Sequence, residues 1–308
     1  MSWTYLALFG GLIAAGLGGE LFVRGTVGLA WAARLSPGII AATVAAFATS
    51  SPELTVAITS SLAGEPQIAL GDALGSNVVN VAVILGAALL LAPITAPRGS
   101  VRRDFPVALL IPIVLSALLA DGVISRLDGL VLLAGFLGWL GAVLVEVRHQ
   151  RSAAAQVLGD HNPKRAALEG LAGLALLIAA GKLIVFGATG IAKAFGLSQF
   201  VIGATIVAIG TSVPELATAL ISRIKGHDEV GLGTVLGSNI YNGLFIIGVA
   251  ATITPIHVGF ASAAPALILG LGAVALCYPP ASGRIGRWRG GMLVAVYLVY
   301  LVAVLQVG

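Results

Sequence analysis

The sequence is short of nearly everything a water-soluble protein places on its surface. Only 10% of its 308 residues are Asp, Glu, Lys or Arg, where a soluble domain carries about 25%. A chain of this length with so few charges cannot cover a water-facing exterior. There is one cysteine, Cys277, so a framework of disulfides within the chain is excluded. The four histidines, His149, His161, His227 and His257, are scattered among connecting segments and offer no metal-ligand spacing. No nucleophile and base pair, phosphate loop or histidine cluster stands out, which argues against an enzyme. Against these shortages stands a hydrophobic content of 58% and a mean hydropathy of +1.04. That balance excludes a disordered chain or a nucleic-acid module. The chain reads as an integral membrane protein whose surroundings are the lipid bilayer.

A spanning helix needs roughly 20 apolar residues. Windows of that length give about ten segments, near 3–33, 37–63, 67–92, 104–120, 127–147, 166–195, 198–224, 229–253, 257–278 and 288–306. The first has no basic leader and runs on through Glu20 and Arg24, so it is expected to be retained rather than cleaved. With the connections numbered alternately, one set holds 13 of the 17 basic residues, and the other holds only Arg126 and Lys193. The formal charge of +4 therefore reports topology, and the positive-inside rule places both termini outside the cytoplasm. Of the tryptophans, Trp3, Trp31, Trp139 and Trp288, some are expected to mark the membrane interfaces.

A constant offset of 162 residues superposes the two halves without a gap. Thr49-Ser50 falls on Thr211-Ser212, Pro52-Glu53-Leu54 on Pro214-Glu215-Leu216, Gly75-Ser76-Asn77 on Gly237-Ser238-Asn239, and Asn80 on Asn242. About five spans per copy, an odd number, means that the second copy crosses the membrane in the opposite direction. The expected fold is an all-α integral membrane protein of about ten transmembrane helices in two inverted five-helix repeats. Residues 1–147 form the first repeat, 148–165 a cytoplasmic linker and 166–308 the second. Such repeats place a substrate site at the bilayer midplane and support alternating access, which argues against a passive channel.

The chemistry lies in the duplicated blocks. Pro52 and Pro214 break their helices and are expected to free the carbonyls of Ala48 and Gly210. Glu53 and Glu215 follow directly, and a charge within a span costs at least ~3 kcal/mol, so a bound cation is the expected compensation. Structural hydrogen bonding is the plainer alternative for the pair. Ser76 and Asn80, like Ser238 and Asn242, are four residues apart on one helical face. Asn77 and Asn239 point about 100° away and are expected to bond backbone. Glu20, Arg24 and Lys182 are read as structural, and Asp72 as part of an ion access path at one end of its span. Glu53 and Glu215 would then be the only central carboxylates. Carboxylates, hydroxyls, amides and carbonyls are hard oxygen ligands that suit Ca²⁺ or Na⁺.

The paired blocks TSSPEL…GDALGSNVVN and TSVPELA…GTVLGSNIYN resemble the two α-repeats of the sodium/calcium exchanger family, within the cation/calcium antiporter superfamily. The resemblance covers nearly the whole chain. It implies a secondary antiporter of the cell membrane that exchanges Na⁺ for Ca²⁺, with those ions as substrates and with no cofactor, nucleic acid or obligate protein partner. It implies that Glu53 and Glu215 ligate both ions, and that Thr49 and Thr211 offer backbone carbonyls to Ca²⁺. Ala46, Ala208, Ser50, Ser212, Ser76 and Ser238 would form flanking Na⁺ sites, and Asn80 and Asn242 would line the centre. Many members carry aspartate where this chain has Asn242. Proton/calcium exchange is the alternative coupling.

Overall fold

The computed structural model describes residues 36–153, 163–192 and 198–306, together with scattered positions between 10 and 32. Its helices fall into two series related by the sequence offset. In the first half α1 (Pro37–Thr49) leads into α2 (Ser51–Leu62). Next come α3 (Pro66–Leu91), α4 (Phe105–Leu118) and α5 (Arg126–Ala153). Helix α6 (Pro163–Ala192) begins the second half. It is followed by α7 (Phe200–Thr211), α8 (Val213–Ile224) and α9 (Asp228–Ile253), then α10 (Phe260–Cys277) and α11 (Trp288–Gln306).

Five of these helices are long and apolar enough to cross a membrane, and α1–α2 and α7–α8 qualify as two further bent spans. Helix α6 covers the sixth expected span. The first expected span and the linker fall largely outside the described residues, as do the side chains of Lys182 and Lys193.

The repeats interlock. Strand β1 (Ile94–Thr95) pairs antiparallel with β4 (Arg284–Ile285), and β2 (Val123–Ile124) pairs antiparallel with β3 (Ile256–His257). Each half thus lends a short strand to the other at each end. The central helices do the same, since the first half of α3 packs on α7 and the first half of α9 on α1. Glycine permits that approach: a Cβ at Gly75 would collide with the Ala204 carbonyl, and one at its mate Gly237 with the Ala42 carbonyl. Turns at equivalent places, Gly64 and Gly226, have φ of 79° and 77°, the left-handed region that glycine enters without a side-chain clash.

Burial separates centre from rim. Helices α3 and α9 hide 72% and 78% of their apolar stretches inside the protein, while α5 and α11 hide 28%. The exposed Leu and Val of the outer pair are the lipid-facing surface that such a helix requires. One polar cluster stands at the rim. Arg103 pairs with Asp104 at 2.7 and 3.0 Å and with Glu146 at 2.5 Å, and the buried Trp139 donates to Asp104 at 3.1 Å. Trp139 is therefore fixed by a carboxylate inside the protein rather than held by headgroups, in contrast to the 64% exposed Trp288.

Candidate cation site

The prolines act differently from a simple kink. The helical run ends at Thr49, Ser50 adopts φ −81° and ψ 10°, and Ser51 starts a fresh helix with Pro52 in its first turn. There the missing N–H removes no intrahelical bond. The same break occurs at Ser212, followed by Val213 and Pro214. The two broken pairs bend by 41° and 42°. Glu53 and Glu215 consequently occupy the first turns of α2 and α8, where the exposed N–H groups and the helix dipole favour negative charge.

Further irregularities hold the remaining oxygens. The turns Ala41–Ala45 and Gly203–Val207 are π-helical, as are Val79–Leu85 and Tyr241–Ile246. Asn80 and Asn242 lie inside the latter two. Single π turns within α-helices concentrate at functional sites because they leave the regular hydrogen-bond ladder out of step.

All twelve residues singled out in the sequence are buried. Hydrogen bonds gather nine of them into four groups. In the first, Ser50 donates to Glu215 Oε1 at 3.2 Å from the opposite repeat, and Ser238 donates to the same oxygen at 2.9 Å. In the second, Ser76 Oγ lies 3.4 Å from the Ala208 carbonyl and 3.3 Å from Thr211 Oγ1. In the third, Asn80 donates to Asn239 Oδ1 at 3.0 Å. In the fourth, Thr49 donates to the Ala46 carbonyl at 3.2 Å. Several atoms find no hydrogen-bond partner among the described residues: both oxygens of Glu53, Glu215 Oε2, Ser212 Oγ, Asn80 Oδ1 and both amide atoms of Asn242. Oxygen acceptors predominate in that set, and a carboxylate buried without donors is costly unless a cation compensates it.

Two expectations need adjustment. Asn77 and Asn239 do bond backbone, but to each other: Asn77 donates to the Asn239 carbonyl at 3.2 Å, and Asn239 to that of Asn77 at 3.1 Å. Asp72 is no peripheral residue. It is 1% exposed and accepts from Thr211 at 3.0 Å and from Ser76 at 3.4 Å. The polar centre therefore holds a third carboxylate, and the count of two is corrected. The signal was present in the sequence, since residues 72, 76 and 80 recur at four-residue spacing on one helical face. Among the described residues, no three acidic, histidine or cysteine side chains converge on one metal position, so hydroxyl, amide and carbonyl oxygens must complete any shell. Glu20 pairs with Arg24, as its spacing predicts, and with Lys225 at 3.0 Å.

The model of the family described as sodium/calcium exchanger protein matches residues 3–145 and 168–306. The chain belongs to the sodium/calcium exchanger family. Among relatives, the inner membrane protein YrbG of Escherichia coli is 38% identical over 72% of this chain and 71% of its own length. The sodium/calcium exchanger MaX1 of Methanosarcina acetivorans is 25% identical over 99% of both. A solved structure of the sodium-calcium exchanger NCX_Mj, soaked with Na⁺ and Sr²⁺, superposes with a TM-score of 0.81. It is 28% identical and covers 97% of this chain and 98% of that one. This exchanger-family chain is thus an integral membrane cation/Ca²⁺ antiporter, and its family is one of transporters, not of enzymes.

Proposed function

We propose that this antiporter couples inward movement of Na⁺ to extrusion of Ca²⁺ by alternating access, with Glu53 and Glu215 as the central ligands. One observation carries the reading. The two glutamates begin half-helices related by the repeat, and three of their four carboxylate oxygens are buried without a hydrogen-bond partner among the described residues. Two carboxylates facing one Ca²⁺ balance its charge. The carbonyls released where α1 and α7 end would complete a hard-oxygen shell of the kind Ca²⁺ takes.

The roles of the other residues follow from their places. Thr49 and Thr211 supply oxygens beside the opposite glutamates. Ser50, Ser238 and the Ala46 carbonyl form one flanking position; Ser76, Ser212 and the Ala208 carbonyl form the other. Asn80 and Asn242 line the centre as neutral oxygen donors. The two repeats, residues 1–147 and 166–308, move against each other about this site. The protein sits in the cell membrane with both termini outside and the linker 148–165 inside, as the distribution of basic residues supports.

Calcium flux into sealed vesicles tests the coupling. Flux driven by a Na⁺ gradient and unmoved by a pH gradient is the expected result. Electroneutral flux driven by a pH step and indifferent to Na⁺ would instead assign proton/calcium exchange.

A further inference from the structure

Asp72 is the one carboxylate of the polar centre that the repeat does not duplicate; its mate at the 162-residue offset is Thr234. It lies in the body of α3, away from the charge-stabilising first turns that hold the two glutamates. No cationic side chain pairs with it among the described residues. Two hydroxyls meet it instead. Thr211 Oγ1 is 3.0 Å from Asp72 Oδ1 and 3.3 Å from the Ala208 carbonyl, and Ser76 Oγ is 3.4 Å from each of those two oxygens. The hydroxyls are 3.3 Å from each other.

Most of these spacings are long for O–H···O bonds, whose usual length is about 2.7–2.8 Å. They are close to the separation of neighbouring oxygens around an ion. Ligands at about 2.3–2.6 Å in right-angled coordination stand about 3.3–3.7 Å apart. Two hydroxyl hydrogens are also too few for the acceptors present, because Thr211 faces the Val207 carbonyl as well, at 3.1 Å. Independently, the Glu53 carboxylate is fully buried, and neither of its oxygens has a hydrogen-bond partner among the described residues.

We propose that Asp72 is a direct ligand of a monovalent cation, Na⁺ in the working exchanger, held with Thr211, Ser76 and the Ala208 carbonyl at one flank of the central site. A single carboxylate among neutral oxygens balances one positive charge and not two. With Thr234 at the equivalent place, the opposite flank has no such charge. The two Na⁺ positions of an otherwise two-fold site are therefore unequal, and the Asp72 flank fills at lower Na⁺. This inference rests on the Na⁺/Ca²⁺ reading for its physiological ion, but its binding test does not use transport.

The purified full chain is melted in detergent while NaCl replaces choline chloride, and separately while CaCl₂ is titrated. The wild type should be stabilised by Na⁺, and Asp72→Asn should need roughly tenfold more Na⁺ for the same shift. Protection by Ca²⁺ should stay within about twofold. Asp72→Thr, carrying the residue of its repeat mate, should behave alike and serves if the Asn variant does not fold. In vesicles the half-saturating Na⁺ for Ca²⁺ efflux should rise in parallel. A wild type whose melting ignores Na⁺, a variant whose Na⁺ titration overlays the wild type, or an equal loss of Na⁺ and Ca²⁺ protection would overturn the role given to Asp72. Flux that ignores a Na⁺ gradient while Asp72-dependent Na⁺ protection persists would overturn only the exchange reading.

Discussion

Asn77 and Asn239 exchange equivalent hydrogen bonds, each amide donating to the other's backbone carbonyl, at 3.2 and 3.1 Å. Reciprocity of this kind between a residue and its copy 162 positions later places the pair at the pseudo-two-fold axis between the repeats. The pair ties α3 to α9 beside Asn80, one of the buried residues proposed to line the site. The symmetry is not complete. Asn239 also accepts from Asn80 at 3.0 Å, whereas the Asn242 amide has no hydrogen-bond partner among the described residues.

That asymmetry makes the two asparagines unequal in stability. Asn77→Ala removes one donor from a carbonyl and should cost about 1 kcal/mol. Asn239→Ala removes the matching bond and also strands the buried Asn80 amide, adding roughly 1–3 kcal/mol. Thermal unfolding in detergent should therefore rank the wild type first, Asn77→Ala second and Asn239→Ala last. Equal losses would show that the bond from Asn80 contributes nothing.

Glu53→Gln and Glu215→Gln should each abolish Ca²⁺ transport while leaving an inserted, folded protein. Only one glutamate then faces the divalent ion, since Asp72 serves one flank, and a neutral amide is a poorer ligand for a hard cation. Isotopic Ca²⁺ uptake by reconstituted protein measures this. Near-normal uptake by either folded variant would leave the pair a structural role only.

Packing at the close helix crossings should be equally unforgiving in both halves. Gly75→Ala and Gly237→Ala each drive a methyl group into a backbone carbonyl of the opposite repeat, and backbone cannot yield as a flexible side chain does. Overpacking of this kind costs about 1–3 kcal/mol or more. Both variants should lose folded yield on size-exclusion chromatography, and to a similar extent.

Alternating access predicts that a cysteine at position 50 or 212 is reached by membrane-impermeant thiol reagents from one side at a time, in a background where the buried Cys277 is replaced by serine. Ser212 is the milder site, because its hydroxyl has no hydrogen-bond partner among the described residues, while Ser50 holds Glu215. Labelling from both sides at once under every ion condition would point to a channel.

A third carboxylate also changes the charge that moves. With Glu53 and Glu215 alone, the Ca²⁺-loaded site is neutral; with Asp72 ionised and no Na⁺ present, it carries one negative charge. Calcium-for-calcium exchange in Na⁺-free solution should then respond to an imposed potential, by up to about 2.3 kcal/mol per 100 mV across the full field. In Asp72→Asn that response should vanish. Tracer exchange at clamped potentials reads the difference directly.

Much of this protein is legible along the chain because its signals are local or periodic. Apolar runs mark the spans, and the constant offset of 162 carries α2 onto α8 and α3 onto α9 residue for residue. Proline followed by glutamate marks the break and its charge together. Other features have no local signature. The π turns at Asn80 and Asn242 are of this kind, and the strand exchange of β1 with β4 and β2 with β3 joins segments far apart along the chain. Trp139 resembles an interface anchor until α5 is placed against Asp104.

Composition and register are properties of the chain alone, so the membrane class and the inverted repeat are readable from them, while the resemblance to the exchanger family implies the twelve candidate oxygen donors. Which repeat each donor serves depends on how the helices fold against one another. Ser50 belongs to Glu215 across the axis, Asn77 answers Asn239, and Asp72 joins Thr211 from 139 residues away. The proposed cation shell would be assembled from helix ends that meet in space. Oxygens at 3 Å can come from any part of the chain, and the spacing along one helix tells which residues share a face but not what that face meets.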